Sequence, residues 1–162
     1  MTNRNSVPAQ AGSFTKEVKA YIPYVRAFLR AMYVGDQERA DIAAQRAITT
    51  ASKYEIPEGK TVEHWVINIA LSDRQTRREV LSIPQEDESD RSLRAMLSRV
   101  PFEQRATLIL REGKRLSYDE IALSLGCAVG TVKSRLNRVR AAMIAEENLH
   151  GELLPLAELP VS

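Results

Sequence analysis

The chain has 162 residues, with 23 Lys plus Arg against 21 Asp plus Glu, so its formal net charge is only +2. At 44% hydrophobic and 27% charged, it can build a core and is not wholly disordered. No apolar run approaches the roughly 20 residues that span a bilayer. The opening MTNRNSVPAQAGS has no stretch of signal-peptide length, so a cytoplasmic protein without a membrane partner is expected.

One cysteine, Cys127, excludes an internal disulfide, and the histidines, His64 and His150, lie far apart without any clustered ligand pattern. No metal and no cofactor is expected. Without a nucleophile–base pair or a phosphate loop, neither is an enzyme with a small-molecule substrate. The near-neutral total hides a division along the chain. Residues 1–81 carry +3, 82–90 carry −4, 91–143 carry +7 and 144–162 carry −4. A basic block between two acidic ones points to a polyanionic partner.

Residues 1–13 are polar and read as a flexible arm. From Phe14 a helical stripe runs through Val18, Tyr21, Ile22, Val25, Leu29 and Met32, with a restart or a kink at Pro23. Asp36 caps a second helix to about Ser52, whose inner face is Ala40, Ala44, Ala47, Ile48 and Ala51. Pro57 and Gly59 mark a loop. Thr61 caps a third helix, with Trp65, Val66, Ile69 and Ala70 inward, that ends in the basic cluster Arg74, Arg77 and Arg78.

Residues 82–90, SIPQEDESD, hold four acids and one apolar side chain, and predict an extended, self-repelling linker. Helical periodicity resumes with Leu93, Met96, Leu97 and Val100. Pro101 then starts a helix with Phe102, Ala106, Ile109 and Leu110 inward. No sustained period-two alternation occurs. The expected fold is all-α: a helical domain over 14–81, a linker over 82–90, a second helical domain over 91–147 and an acidic tail over 148–162.

Residues 116–140, LSYDEIALSLGCAVGTVKSRLNRVR, hold the most informative pattern. Ser117 and Glu120 form a capping box, and Ile121, Ala122 and Leu125 face inward on the short helix that follows. Gly126 supplies the left-handed stop. A second helix then runs from about Gly130 to Glu146 on the inward stripe Val132, Leu136, Val139 and Met143. Two helices on a tight glycine turn, the second long and basic, form a helix-turn-helix.

Thr131, Lys133, Ser134, Arg135, Asn137, Arg138 and Arg140 lie off that stripe, and no acid occurs from Ile121 to Ala145. A helix in a major groove needs this chemistry: Lys or Arg for guanine O6 and N7, hydroxyls and further Arg for phosphates. Thr131, Lys133, Ser134 and Arg135, in the first turns, are the candidates for base edges. Ser117, Arg138 and Arg140 are the candidates for backbone.

YDEIALSLGCAVGTVKSRLNRVRAAM, with LSRVPFEQRATLILREGKRLS before it, resembles region four of an extracytoplasmic-function sigma factor of RNA polymerase. The run from Gly126 to Arg135 is similar to the group that directs the general stress response in some bacteria. The resemblance implies transcription initiation, with Thr131, Lys133, Ser134, Arg135 and Arg138 facing promoter −35 DNA and the polymerase flap bound by the same segment.

YIPYVRAFLRAMYVGDQERAD resembles, more loosely, the opening helix and turn of region two. This likeness implies core polymerase docking by Asp41 and Gln45, phosphate contacts near −10 by Arg74, Arg77 and Arg78, and an anti-sigma factor as a further partner. The docking helix departs from the family: Ile42 and Arg46 stand where acids are usual, Ser52 where an aromatic is usual, and Leu71-Ser72 replaces an Arg-Asn pair. Arg46 is expected to weaken a negative docking face. A sigma-like decoy for an anti-sigma factor, or a helix-turn-helix regulator without polymerase docking, are the alternative readings.

Overall fold

The computed structural model describes residues 16–87, 90 and 92–150, the last five by backbone alone. The arm expected over 1–13 and nearly all of the tail expected over 148–162 lie outside the described residues. Among the described residues every regular element is helical.

A helical turn over 16–19 precedes α1 (Ile22–Met32), which restarts with Pro23 in its first turn. There the missing proline N–H costs nothing. α1 buries Val25, Phe28, Leu29 and Met32. The chain reverses through Val34 and Gly35 at φ +55° and +88°. A β-branched residue in that region is strained, by an amount of order 1–3 kcal/mol.

Asp36 caps α2 (Gln37–Ala51) by accepting the Arg39 N–H at 3.2 Å. The α2 inner face is nearly all alanine, and Ala40, Ala43, Ala44, Ala47 and Ala51 are buried. Their small side chains let α1 and α3 (Val62–Ser72) approach closely.

The third predicted helix does not run on into the arginine cluster. It ends at Ser72, and Asp73 begins α4 (Arg74–Ser82) by accepting the Gln75 N–H at 3.1 Å. An aspartate competes for backbone N–H groups, so it splits a helix where periodicity alone would continue it. Arg46, expected to spoil a docking face, is instead turned inward onto this break. It donates to Asp73 Oδ2 at 2.7 Å and Thr76 Oγ1 at 3.0 Å, and lies 3.5 Å from Glu79 Oε1. The network ties α2 to α4.

The linker is not an extended, self-repelling strand. Ile83 packs against the core, the Glu86 N–H donates to Ser98 Oγ at 2.9 Å, and Arg94 lies 3.6 Å from Glu86. Arg99 donates to the carbonyls of Asp87 and Asp90 at 3.0 and 3.2 Å. Arginines eight to twelve residues downstream thus hold the described part of this acidic stretch, Arg94 through a carboxylate and Arg99 through backbone carbonyls.

α5 (Leu93–Arg99) and α6 (Phe102–Leu108) follow, then one π-type turn over Ile109–Gly113 in which the Lys114 N–H reaches back to the Ile109 carbonyl at 3.1 Å. α7 (Tyr118–Leu125) and α8 (Val129–His150) complete the chain.

The two halves are packed together rather than held apart. α7 lies against α3, and one apolar cluster runs from Val25 and Phe28 through Val66 and Ile67 to Leu110, Ile121 and Leu136. Arg105, only 5% exposed, reaches across this boundary. It donates to the Met32 carbonyl at 2.7 Å, to Ser98 at 3.2 Å and to Val100 at 3.0 and 3.2 Å. Met32 ends α1, so the contact satisfies a carbonyl that the helix leaves open. Burial pulls the Arg105 pKa down to about 10.

Candidate nucleic-acid interface

The helix-turn-helix is built from its caps. Ser117 Oγ accepts the Glu120 N–H at 3.2 Å, and Glu120 Oε2 accepts the Ser117 N–H at 2.7 Å, so the expected capping box is complete. Ser117, the candidate phosphate contact, therefore also starts α7. Gly126 adopts φ +65° and its N–H returns to the Ala122 carbonyl. A Cβ at Gly126 would lie 3.1 Å from Asn68 Nδ2 of α3, so glycine serves both the turn and the packing of the two halves.

α8 then takes the predicted register. Val132, Leu136, Val139 and Met143 are buried. Lys133, Ser134, Asn137 and Arg138 are exposed on the opposite side, with Thr131 and Arg135 half-buried at its edge. Packing of the two halves leaves this face open. Arg135 Nη1 lies 3.9 Å from Cys127 Sγ, which sits half-buried in the turn as a small packing residue.

Arg140 is less free than Arg138. It faces Glu112 Oε1 at 3.5 Å, and its pKa is raised chiefly by a hydrogen bond with Tyr118. Arg111 stacks over the Tyr118 ring at 4.8 Å and donates to the Leu116 carbonyl at 2.8 Å. Tyr118 thus has a cation over its ring beside the capped helix start.

In the N-terminal half, Arg74, Arg77 and Arg78 share α4 and are exposed. Arg77, however, is held by the other half: its Nη2 is 2.6 Å from Glu103 Oε1, and its guanidinium lies 4.7 Å from the Phe102 ring centre. Asp41 is taken up by Arg30, which donates to both carboxylate oxygens at 2.9 and 2.8 Å, with Arg26 at 3.5 Å. The Arg30 hydrogen bond holds the Asp41 carboxyl below the usual carboxylate range. Gln45 and Ile42 are exposed beside it.

Trp65 is half-buried against the core with Lys60 Nζ 5.9 Å from its ring, whereas Tyr54 is exposed. Asn68, Glu103 and Glu112 carry no local signal in the sequence, because Gly126, Arg77 and Arg140, which they meet, lie far along the chain.

The fold and this face define an all-helical protein that presents a basic recognition helix from a capped helix-turn-helix. The family model for sigma-70, region 4, matches residues 90–143. An ECF RNA polymerase sigma factor, EcfG, of Rhodopseudomonas palustris is 31% identical over 161 residues, covering 82% of this chain and 84% of that protein. The ECF RNA polymerase sigma-E factor of Escherichia coli K12 is 30% identical over 129 residues, covering 72% of this chain and 68% of the relative. The chain belongs to the extracytoplasmic-function RNA polymerase sigma factors, the initiation factors that direct promoter-specific transcription. A solved structure of the sigma factor RpoE, in complex with the anti-sigma factor NepR from Bartonella quintana, has the same fold, with a TM-score of 0.63 at 23% identity. That match covers 85% of this chain and 98% of RpoE.

Proposed function

We propose that residues 91–147 read the promoter −35 element through α8 while residues 14–81 dock on core polymerase and act near −10. Lys133, Ser134 and Arg135, with Thr131, address base edges; Ser117, Arg138 and Arg140 address phosphates. The observation that supports this most is the exposed side of α8, free of acids as far as Ala145 and set opposite a fully buried Val132, Leu136 and Val139. Arg74, Arg77 and Arg78 serve backbone phosphates near −10, and Asp41 and Gln45 serve the polymerase. An anti-sigma protein is the further partner, and the run from Gly126 to Arg135 supports a place in the general-stress-response group.

The assignment is tested by binding to a panel of −35 duplexes. Arg135→Ala should cost about 1–3 kcal/mol and relax preference at one base position, whereas Arg138→Ala should weaken all sequences alike and flatten the salt dependence. Identical behaviour of the two substitutions across mutated sites would sink the division of roles. Run-off transcription with core polymerase tests the whole reading: a protein that binds −35 DNA but yields no start site on a genomic promoter library lacks the proposed N-terminal role.

A further inference from the structure

Glu103 of α6 meets Arg77 of α4, an element assigned above to DNA, at 2.6 Å. The charge of Arg135, from α8, also acts on it. Burial works to raise its pKa, but the Arg77 hydrogen bond outweighs this with the help of the two cations, so the carboxyl sits below its usual range. It also occupies the first turn of α6, where a helix N-terminus favours an anion.

The Arg77 seat has two parts, the Glu103 oxygen and the face of Phe102 at 4.7 Å. Both partners of the ion pair are nearly half exposed, at 46% and 42%, so solvent and solutes reach the bond. A guanidinium donates to carboxylate and phosphate oxygens in the same planar geometry. An exposed ion pair of this kind is weak enough to exchange.

We propose that Glu103 is a positioning residue for DNA binding: it occupies Arg77 in place of a phosphate and releases it when the chain engages DNA. This rests on the assignment of Arg77 to DNA made above. The packed arrangement then holds one DNA-contacting cation neutralised across the boundary between the halves, and phosphate completes the same coordination by replacing Glu103. Counterion release on a duplex drives the exchange at low salt.

The test uses the full chain and a labelled, non-specific duplex of about 40 base pairs, long enough for both halves and independent of any promoter sequence. Anisotropy titrations at several salt concentrations compare wild type, Glu103→Gln, Arg77→Ala and the double variant. With Arg77 present, Glu103→Gln should tighten binding about two- to five-fold, the range an exposed pair spans. The slope of log K against log salt should stay nearly the same, because both proteins make the Arg77–phosphate contact once bound. With Arg77 replaced, the tightening should vanish. Equal tightening in both backgrounds makes Glu103 a bulk charge and overturns the proposal, as does no tightening at all. Failure of the wild-type chain to bind any duplex overturns the DNA reading itself, whereas binding without coupling overturns only the role of Glu103.

Discussion

Replacing Gly126 by alanine tests the helix-turn-helix and the packing of the two halves in one substitution. The residue holds φ +65°, a region that costs an L side chain about 1–2 kcal/mol. Its new Cβ would stand 3.1 Å from Asn68 Nδ2, closer than ordinary van der Waals contact, and forcing Asn68 off its rotamer costs about 0.5–1.5 kcal/mol more. The expected loss is about 2–3 kcal/mol, or a fall in Tm of about 4–10 °C for a chain of this size. Thermal melts of Gly126→Ala, Asn68→Ala and the double variant separate the two contributions. Asn68→Ala should remove the steric part and leave the backbone part, giving a coupling of about 0.5–1.5 kcal/mol. A Gly126→Ala protein that melts with wild type refutes the left-handed turn. Strict additivity refutes the approach of α7 to α3 at this point.

Two further outcomes follow from the charged groups. Arg105→Met strips donors from the carbonyls of Met32, Ser98 and Val100, each costing about 1–3 kcal/mol, while relieving a buried charge worth about 3 kcal/mol from its depressed pKa. The balance, about 0–6 kcal/mol of net loss, should appear as a lower urea midpoint, and a variant clearly more stable than wild type would refute the carbonyl seat. Burial tends to raise the Asp73 carboxyl, but hydrogen bonds from Arg46, the Gln75 N–H and Thr76 carry it below the usual range. A lowered folded pKa stabilises the protein above the unfolded value of about 3.9 and ceases to do so as pH falls through the folded value. Stability should therefore decline below about pH 4, and less steeply in Asp73→Asn. An unchanged slope in that variant would count against the Arg46 network.

The C-terminal half was the more legible because its signals are local. The capping box spans four residues from Ser117 to Glu120, the stop is a single glycine, and the α8 stripe repeats at helical spacing. Each is complete within one or two turns of chain. The break at Asp73 is harder to read: apolar spacing continues through it, and although Asp73 caps the next helix locally, the Arg46 that fixes its carboxylate comes from 27 residues away. The acidic linker was misjudged in the same manner, since Arg94 and Arg99 compensate it only once α5 has folded beneath it.

The candidate site divides along the same line. Lys133, Ser134 and Arg138 stand exposed where helical periodicity placed them. Arg140, placed by the same periodicity, and Asp41 and Arg77, implied by the family resemblance, are each engaged by a distant residue: Glu112, Arg30 and Glu103. Spacing says which side of a helix a charge occupies, but not what the next helix brings to it.

By itself, then, the amino-acid sequence determined the helical class, the helix-turn-helix and the polarity of its reading face, because caps, turns and 3.6-residue periodicity act within a few residues. Only the tertiary structure decided that the two halves share a core, that Arg105 seals the end of α1, and that one cation assigned to DNA is held by Glu103. Those contacts join groups 26 to 73 residues apart, and their energies exist only when the chain has brought the helices together.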